Sequence, residues 1–413
     1  MQVLIITTMY APDLGPAAPL VTMLSEGLVK LGHQVTVITT VPHYPSGQVP
    51  ATFRGKLLWR SRENGVELIR IGLPSVNRKN LSQRLIQIVY FQLIASFVNI
   101  GHQYDVVLSG TPSIAVLLPY LRFVVLSRKP AIYSVHDVYP DVGVALGIFR
   151  HKLMIKAVAI LERFCLNHAK LVRILSESFR TGLHKLGVPD TKMVLIYDWV
   201  DIDLIQPLPR ENLFSSEYGI ADRFTVLYAG NIGLSQGLEN IIATAELLID
   251  HKDIVFVFVG DGAGREFLQS QAMQKQLSNV QFVPFQPRQR LPEVLASADI
   301  SLVILRQGIG SASLPSKTFS IMASGRPILV SVDEESETTQ LIKRAEAGLW
   351  VPAEDPRRTA EAILSLRNNK ALLDQLGHNG RIWAEHNHSP QNAVKQFEKL
   401  FRTAISMKNA SLP

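Results

Sequence analysis

The sequence predicts an α/β fold built twice over, two parallel-sheet domains in tandem. Three observations carry this. Short β-branched runs bounded by turn residues recur along the 413 residues. The runs are almost wholly apolar, as strands buried on both faces must be, and amphipathic segments of helical spacing lie between most of them. The alternation pauses at 201–216, a stretch with two prolines and mixed charge, and then resumes.

In the first half the strand-like runs are 3–8, 34–40, 66–72, 105–109, 131–135, 170–175 and 193–197. After the first of them, Leu20, Met23, Leu24, Leu28 and Leu31 share one helical face, and Gly32 supplies the stop. In the second half the runs are 225–228, 254–259, 280–285, 300–305, 327–332 and 348–351. The expectation is a Rossmann-like domain over 1–204, a second over 205–389, and a final helix at 392–405, after the break at Ser389-Pro390. That tail, 390–413, is expected to cross back onto the first domain. Sites in such pairs belong in an interdomain cleft at the carboxyl ends of the strands, where helix N-termini point.

Composition narrows the function. The 42 Lys and Arg against 35 Asp and Glu give a net charge of +7, but no Lys/Arg-rich block or stripe appears. A nucleic-acid protein concentrates its excess, so none is expected as a partner. A dispersed excess suits phosphorylated small molecules or an anionic membrane surface. The single cysteine, Cys165, excludes an internal disulfide and a Cys-based zinc cage, and fits a reducing cytoplasm. No signal peptide is expected, because the apolar run at 3–9 lacks a basic flank. The greasiest stretch, 114–126, holds Pro119 and Arg122 and is too short to span a bilayer.

Three loops could hold phosphate. Tyr10-Ala-Pro-Asp-Leu-Gly15 ends the first strand and opens a helix; Gly15 would let a ligand approach the backbone closely. Tyr228-Ala-Gly-Asn-Ile-Gly233 does the same in the second half. Leu314-Pro-Ser-Lys317 places Ser316 and Lys317 at a helix start, where a lysine opposes the macrodipole unless an anion sits there. For each, an ordinary strand-to-helix turn or a solvated lysine is the competing reading. Gly260-Asp-Gly-Ala-Gly264 lacks dinucleotide-fingerprint spacing and reads as a tight turn. Asp201-Ile-Asp203 reads as structural rather than as a metal grip.

Taken in order, Tyr10–Gly15, Gly32–Thr39, Pro42–Gly47, His136–Asp141, Tyr197–Asp201, Tyr228–Leu238 and Pro315–Pro327 resemble glycosyltransferase family 4, of the GT-B fold. Within it they resemble the bacterial surface-polysaccharide branch that includes fucosamine transferases. The resemblance implies a retaining, metal-independent transfer of a sugar from a nucleotide-diphosphate donor, UDP-sugar favoured, to a glycan or lipid-linked acceptor. No cofactor is implied. Gly15, Gly230, Asn231, Gly233, Ser316 and Lys317 would hold the donor diphosphate. Val283, Phe285 and Gln286 would contact the base, and His136 would meet the transferred sugar. Asp13 could orient or deprotonate the acceptor, or merely cap a turn.

The chain departs from the commoner family pattern. Asn231 and Gln236 stand where many members carry an arginine and a lysine, and Ala312 and Ser320 replace paired glutamates. Arg306 is then a candidate second cation and Glu337 a candidate ribose partner, with a solvated surface charge as the alternative for each. A nucleotide-sugar-binding partner subunit that has lost chemistry, or a UDP-sugar 2-epimerase, are the competing functions.

One segment stands apart. Arg84–Asn99 is unusually apolar, with Gln92, Ser96, Asn99 and Gln103 spaced as one polar stripe and Arg78, Lys79 and Arg84 at its start. It could lie on the inner face of the cytoplasmic membrane or be buried against the sheet.

Overall fold

The computed structural model describes every residue except 14, 16, 45, 78, 79, 146, 148, 150, 311–313 and 410–413. The chain divides into two compact units, Met1–Tyr197 with Pro390–Pro413, and Asp198–Ser389. The join falls at Tyr197–Asp198, ahead of the pause at 201–216 where the sequence places it.

The first unit carries, in chain order, β1 (Gln2–Ile6), α1 (Ala18–Lys30), β2 (Gln34–Thr40), β3 (Leu58–Glu63), β4 (Val66–Ile71), α2 (Leu81–Phe97), β5 (Val106–Gly110) and α3 (Leu117–Tyr120). There follow β6 (Ala131–Val135), α4 (Asp141–Ala145), α5 (Lys152–His168), β7 (Leu171–Ile174), α6 (Phe179–Lys185) and β8 (Met193–Leu195). Its eight strands are ordered β3-β4-β2-β1-β5-β6-β7-β8, all parallel except the β3–β4 hairpin.

The sequence reading lacks β3. Its residues, Leu-Trp-Arg-Ser-Arg-Glu, lie on an edge, all exposed but the half-buried Trp59, and carry no apolar alternation. The signal that was available is Asn64-Gly65, both at positive φ, the two-residue turn a tight hairpin demands. On α1, Leu20, Leu24 and Leu28 are buried, whereas Leu31 lies beyond the helix end and is exposed.

The second unit carries α7 (Leu213–Glu217), β9 (Phe224–Ala229), α8 (Glu239–Leu247), β10 (Ile254–Val259), α9 (Arg265–Gln274), β11 (Val280–Val283), α10 (Leu291–Ala296) and β12 (Ile300–Ile304). It continues with α11 (Lys317–Ala323), β13 (Ile328–Ser331), α12 (Glu337–Ala345), β14 (Gly348–Val351), α13 (Pro356–Arg367) and α14 (Lys370–Asn387). Six parallel strands run in the order β11-β10-β9-β12-β13-β14. Strand β10, Ile-Val-Phe-Val-Phe-Val, is buried throughout, as a central parallel strand must be. Helix ends are capped locally: Ser336 Oγ accepts the Thr339 N–H at 3.2 Å, and Asp355 caps α13 ahead of Pro356.

The last helix, α15 (Pro390–Asn409), starts at the Ser389-Pro390 break, belongs to the first unit and packs on α1. A Cβ at Gly27 would lie 2.4 Å from Val394, so only glycine lets the two helices approach this closely.

Helix α2 is not hidden against the sheet on its apolar side, and the polar stripe expected of it is cut short. It ends at Phe97, so Asn99 and Gln103 are not on it. Gln87 and Gln92 point inward and are buried, while Leu85, Ile86, Val89, Tyr90, Leu93 and Phe97 are exposed. Arg78 and Lys79 lie outside the described residues.

Candidate functional site

In each sheet the strand order reverses once, at β1/β5 and at β9/β12. A parallel sheet opens a crevice at such a point, beyond the carboxyl ends of the two strands whose connections diverge. The loops singled out in the sequence follow strands at or near these points.

In the second unit the loop after β9 is built by close backbone approach. Gly230 adopts φ 135° and donates its N–H to Val259 O at 2.9 Å. The turn after β10 presses directly against it. A Cβ at Gly260 would fall 1.9 Å from Gly230 O, and one at Gly262 2.4 Å from Ile232 O. Ile232 N–H donates to Asp261 O and Gly264 N–H to Ile232 O. The Gly260–Gly264 turn therefore buttresses the Gly230–Gly233 loop, which explains its glycines without any fingerprint.

Lys317, the first residue of α11, reaches this loop. Its Nζ lies 3.2 Å from where a Gly230 Cβ would sit and 3.7 Å from the centroid of the Tyr228 ring. The residue as a whole keeps some exposure, but the Nζ is closed off and has no hydrogen-bond partner among the described residues. Burial pulls its pKa down to about 7. The π-face supplies attraction but no acceptor. Tyr228 OH donates to Asn231 O at 2.7 Å and so anchors the loop from below. The sequence reading quoted Tyr228 only as part of a motif, and its position near a strand end was the sole hint.

Other members of the predicted set are placed less simply. Gly233 N–H donates to Gln236 Oε1 at 3.0 Å, so Gln236 caps the loop. Asn231 and Ser316 are exposed. Arg306, after β12, is bonded to Glu239 and lies 3.7 Å from Glu354. Glu337 is buried at the start of α12 and paired with Arg344. At the end of β11, Val283 is buried and Phe285 exposed, while Gln286 accepts from Arg290 at 3.2 Å and donates to Pro284 O. Gly230, Asn231, Gly233 and Lys317 are brought together. Phe285 stands apart from them, after β11 and two strands from β9, and Glu337 follows β13 on the other side of β12. Ala312 lies outside the described residues. Asp201 accepts from Leu204 N and pairs with Arg288 at 3.1 Å, an internal brace of the chain's entry into this unit.

In the first unit Asp13 is buried with both oxygens engaged. Oδ1 accepts the Gly15 N–H at 3.0 Å; Oδ2 accepts the His43 N–H at 3.0 Å and lies 3.2 Å from His43 Nδ1. Burial acts to raise its pKa, but the His43 bonds and charge and the Gly15 amide outweigh it, so the carboxyl stays below its ordinary value. Asp13 thus ties the loop after β1 to the loop after β2. At Gly15 a Cβ would meet Met9 Sδ at 2.3 Å. His136 follows β6. Its N–H donates to Thr111 Oγ1 at 2.9 Å, and its Nε2 lies 3.5 Å from Ser134 Oγ, which accepts from Arg173 at 3.2 Å. Thr111 is absent from the sequence reading and His43 enters it only within Pro42–Gly47; their bonds to the His136 amide and to Asp13 give them a place. Among the described residues no three His, Cys, Asp or Glu cluster as a metal site would need.

Two family models match the chain, the glycosyl transferase 4-like domain over 16–199 and glycosyl transferases group 1 over 210–383. A relative in Escherichia coli named for colanic acid biosynthesis glycosyl transfer, WcaI, is 27% identical, covering 96% of this chain and 98% of that one. Sucrose-phosphate synthase of Thermosynechococcus elongatus superposes with a TM-score of 0.77 at 17% identity, over 98% of this chain and 100% of that one. HepE of Anabaena, solved with UDP-glucose, superposes at 0.68 with 15% identity, over 100% of both. With one model on each Rossmann-like unit and the same two-unit architecture in solved transferases, the chain belongs to the GT-B glycosyltransferases.

Proposed function

We propose that this chain is a retaining transferase that moves a sugar, a hexose or N-acetylamino sugar, from UDP to a glycan or lipid-linked acceptor of a surface polysaccharide. The observation that carries the reading is the enclosed Nζ of Lys317 beside the Gly230 turn, without a hydrogen-bond partner among the described residues. A buried polar group without a partner is rare, and a cationic one at a switch-point crevice suits an anionic ligand.

As the bond between the anomeric carbon and the diphosphate oxygen breaks, negative charge grows on the leaving phosphate. A fixed ammonium there stabilises the transition state more than the ground state and needs no reorganisation. In this reading Lys317 does that work, and no metal is required for it. Gly230 leaves room at the backbone, and Gln236 can release the Gly233 amide to a phosphate oxygen. His136, on the first unit, serves the transferred sugar. Asp13, with both oxygens occupied, positions the loop around Gly15 rather than taking a proton. The UDP preference leans on HepE, whose solved complex holds UDP-glucose.

The test is a panel of UDP-, GDP- and ADP-sugars with radiolabelled sugar and a lipid-linked acceptor pool, with and without chelator. Transfer from a UDP-sugar, undiminished by chelator and giving the donor's anomeric configuration by NMR, is expected. Donor binding without transfer or hydrolysis would overturn it in favour of a partner subunit. Conversion of a UDP-sugar to its epimer without acceptor would overturn it in favour of an epimerase.

A further inference from the structure

Helix α2 buries Phe91 and Ala95 but leaves most of its large apolar side chains outside. Two of its three glutamines face the protein: Gln87 donates to Pro74 O at 2.7 Å, and Gln92 donates to Ile114 O at 2.8 Å while accepting from Leu118 N at 3.0 Å. These bonds fix the rotation of the helix. Rolling it to hide its apolar face would take these side chains away from the Pro74 and Ile114 carbonyls and the Leu118 amide. The face left outside holds Ile86, Val89 and Leu93, each about half exposed at 56%, 52% and 49%, and Phe97 at 84%. A contiguous apolar face of this kind on a surface helix marks an interaction site.

The neighbouring helix extends it. α3 packs against both α2 and α5, and right-handed crossovers place the three on one side of the sheet. On α5, Leu153 is 83% exposed and Ile160 54%, on one stripe. Charge decides the partner. α2 contains no acidic residue, and its one charge is the exposed Arg84. α5 exposes Lys152, Lys156 and Arg163, and its only acid, Glu162, is buried on the Ser113 amide and the Tyr133 hydroxyl. Among the described residues no helix is long and apolar enough to cross a bilayer. Large apolar side chains flanked by charges of one sign, positive, match a surface of acyl chains under anionic headgroups.

We infer that the α2–α5 face of the first unit docks on an anionic lipid bilayer, with the α2 side chains entering the headgroup boundary and the basic residues of α2 and α5 meeting lipid phosphates. This stands whichever nucleotide sugar the second unit takes. The docking gives a lipid-linked acceptor a place to be met, since such a substrate stays in the membrane.

The experiment is flotation of the full chain with vesicles of phosphatidylcholine plus phosphatidylglycerol, and of phosphatidylcholine alone. Binding to the anionic vesicles, weakened by salt, is expected. Ile86→Glu should lower partitioning on the order of tenfold, and Lys156→Ala about fivefold. Both positions are exposed, so thermal unfolding and UDP-induced stabilisation should stay as in the wild type. No binding to anionic vesicles, or binding unchanged by both substitutions, overturns the inference. So does a dimer in solution that Ile86→Glu dissociates without vesicle binding, which would make the face a contact between copies.

Discussion

An ammonium closed off from water, with no acceptor among the described residues, costs the free protein stability, and in the proposed function Lys317 bears that cost for the donor diphosphate. Lys317→Met keeps the stem over Tyr228 and removes the charge. It should raise folding stability by about 1–3 kcal/mol in urea titrations near neutral pH. The same variant should lose at least about tenfold in turnover. The pH dependence has a definite sign. With a folded pKa of about 7 against an ordinary value of 10.5, the unfolded chain holds the proton more tightly between those limits. Wild-type stability should therefore rise with pH from about 7 toward 10, and the advantage of Lys317→Met should shrink over that window. Donor affinity should run the other way, since a diphosphate favours the charged form: calorimetry should record proton uptake on UDP binding and weakening affinity above about pH 7. The sequence disclosed Lys317 by its conflict with the helix dipole, but not the pairing with Tyr228, because no periodicity links a strand end to a helix start several elements away.

Among the elements, the β9 and β10 turns act as one piece, and Gly260 is where they are welded. Any side chain there would occupy the space of the Gly230 carbonyl, and φ 143° is itself unfavourable for other residues. Gly260→Ala should cost about 2 kcal/mol or more in denaturant titrations and reduce turnover by displacing Gly230. Gly308, also at positive φ but with open space around its Cβ position, is the control: Gly308→Ala carries only the cost of its own φ. The parallel strands were legible because burial on both faces leaves an unbroken apolar run. The edge strand β3 was not, because a strand with a single half-buried residue, Trp59, reads as loop. Helix α2 was legible as anomalous, yet its orientation was not, since hydrophobic periodicity assumes that apolar means inward and two buried glutamines reverse it.

For the whole molecule, the two-unit organisation was readable from the interruption and restart of the strand pattern. The crossing point was not, since Trp199 and Val200 carry buried apolar side chains past it and the polar pause comes only afterwards. What the sequence did register is that the last helix follows a proline break and returns to the first unit. In that unit Phe397, Leu400 and Phe401 are buried. A chain truncated after Ser389 should keep the unfolding transition of the second unit. The transition of the first should vanish or fall by more than about 10 °C in calorimetry, because three large side chains leave their sites. The ribosome then delivers the parts in an order the fold does not follow. Residues 198–389 emerge as one uninterrupted stretch and can complete their sheet while the earlier 197 residues still wait for α15. Until α15 follows, the α1 surface stays uncovered, so the first unit is vulnerable for as long as the ribosome takes to make the second.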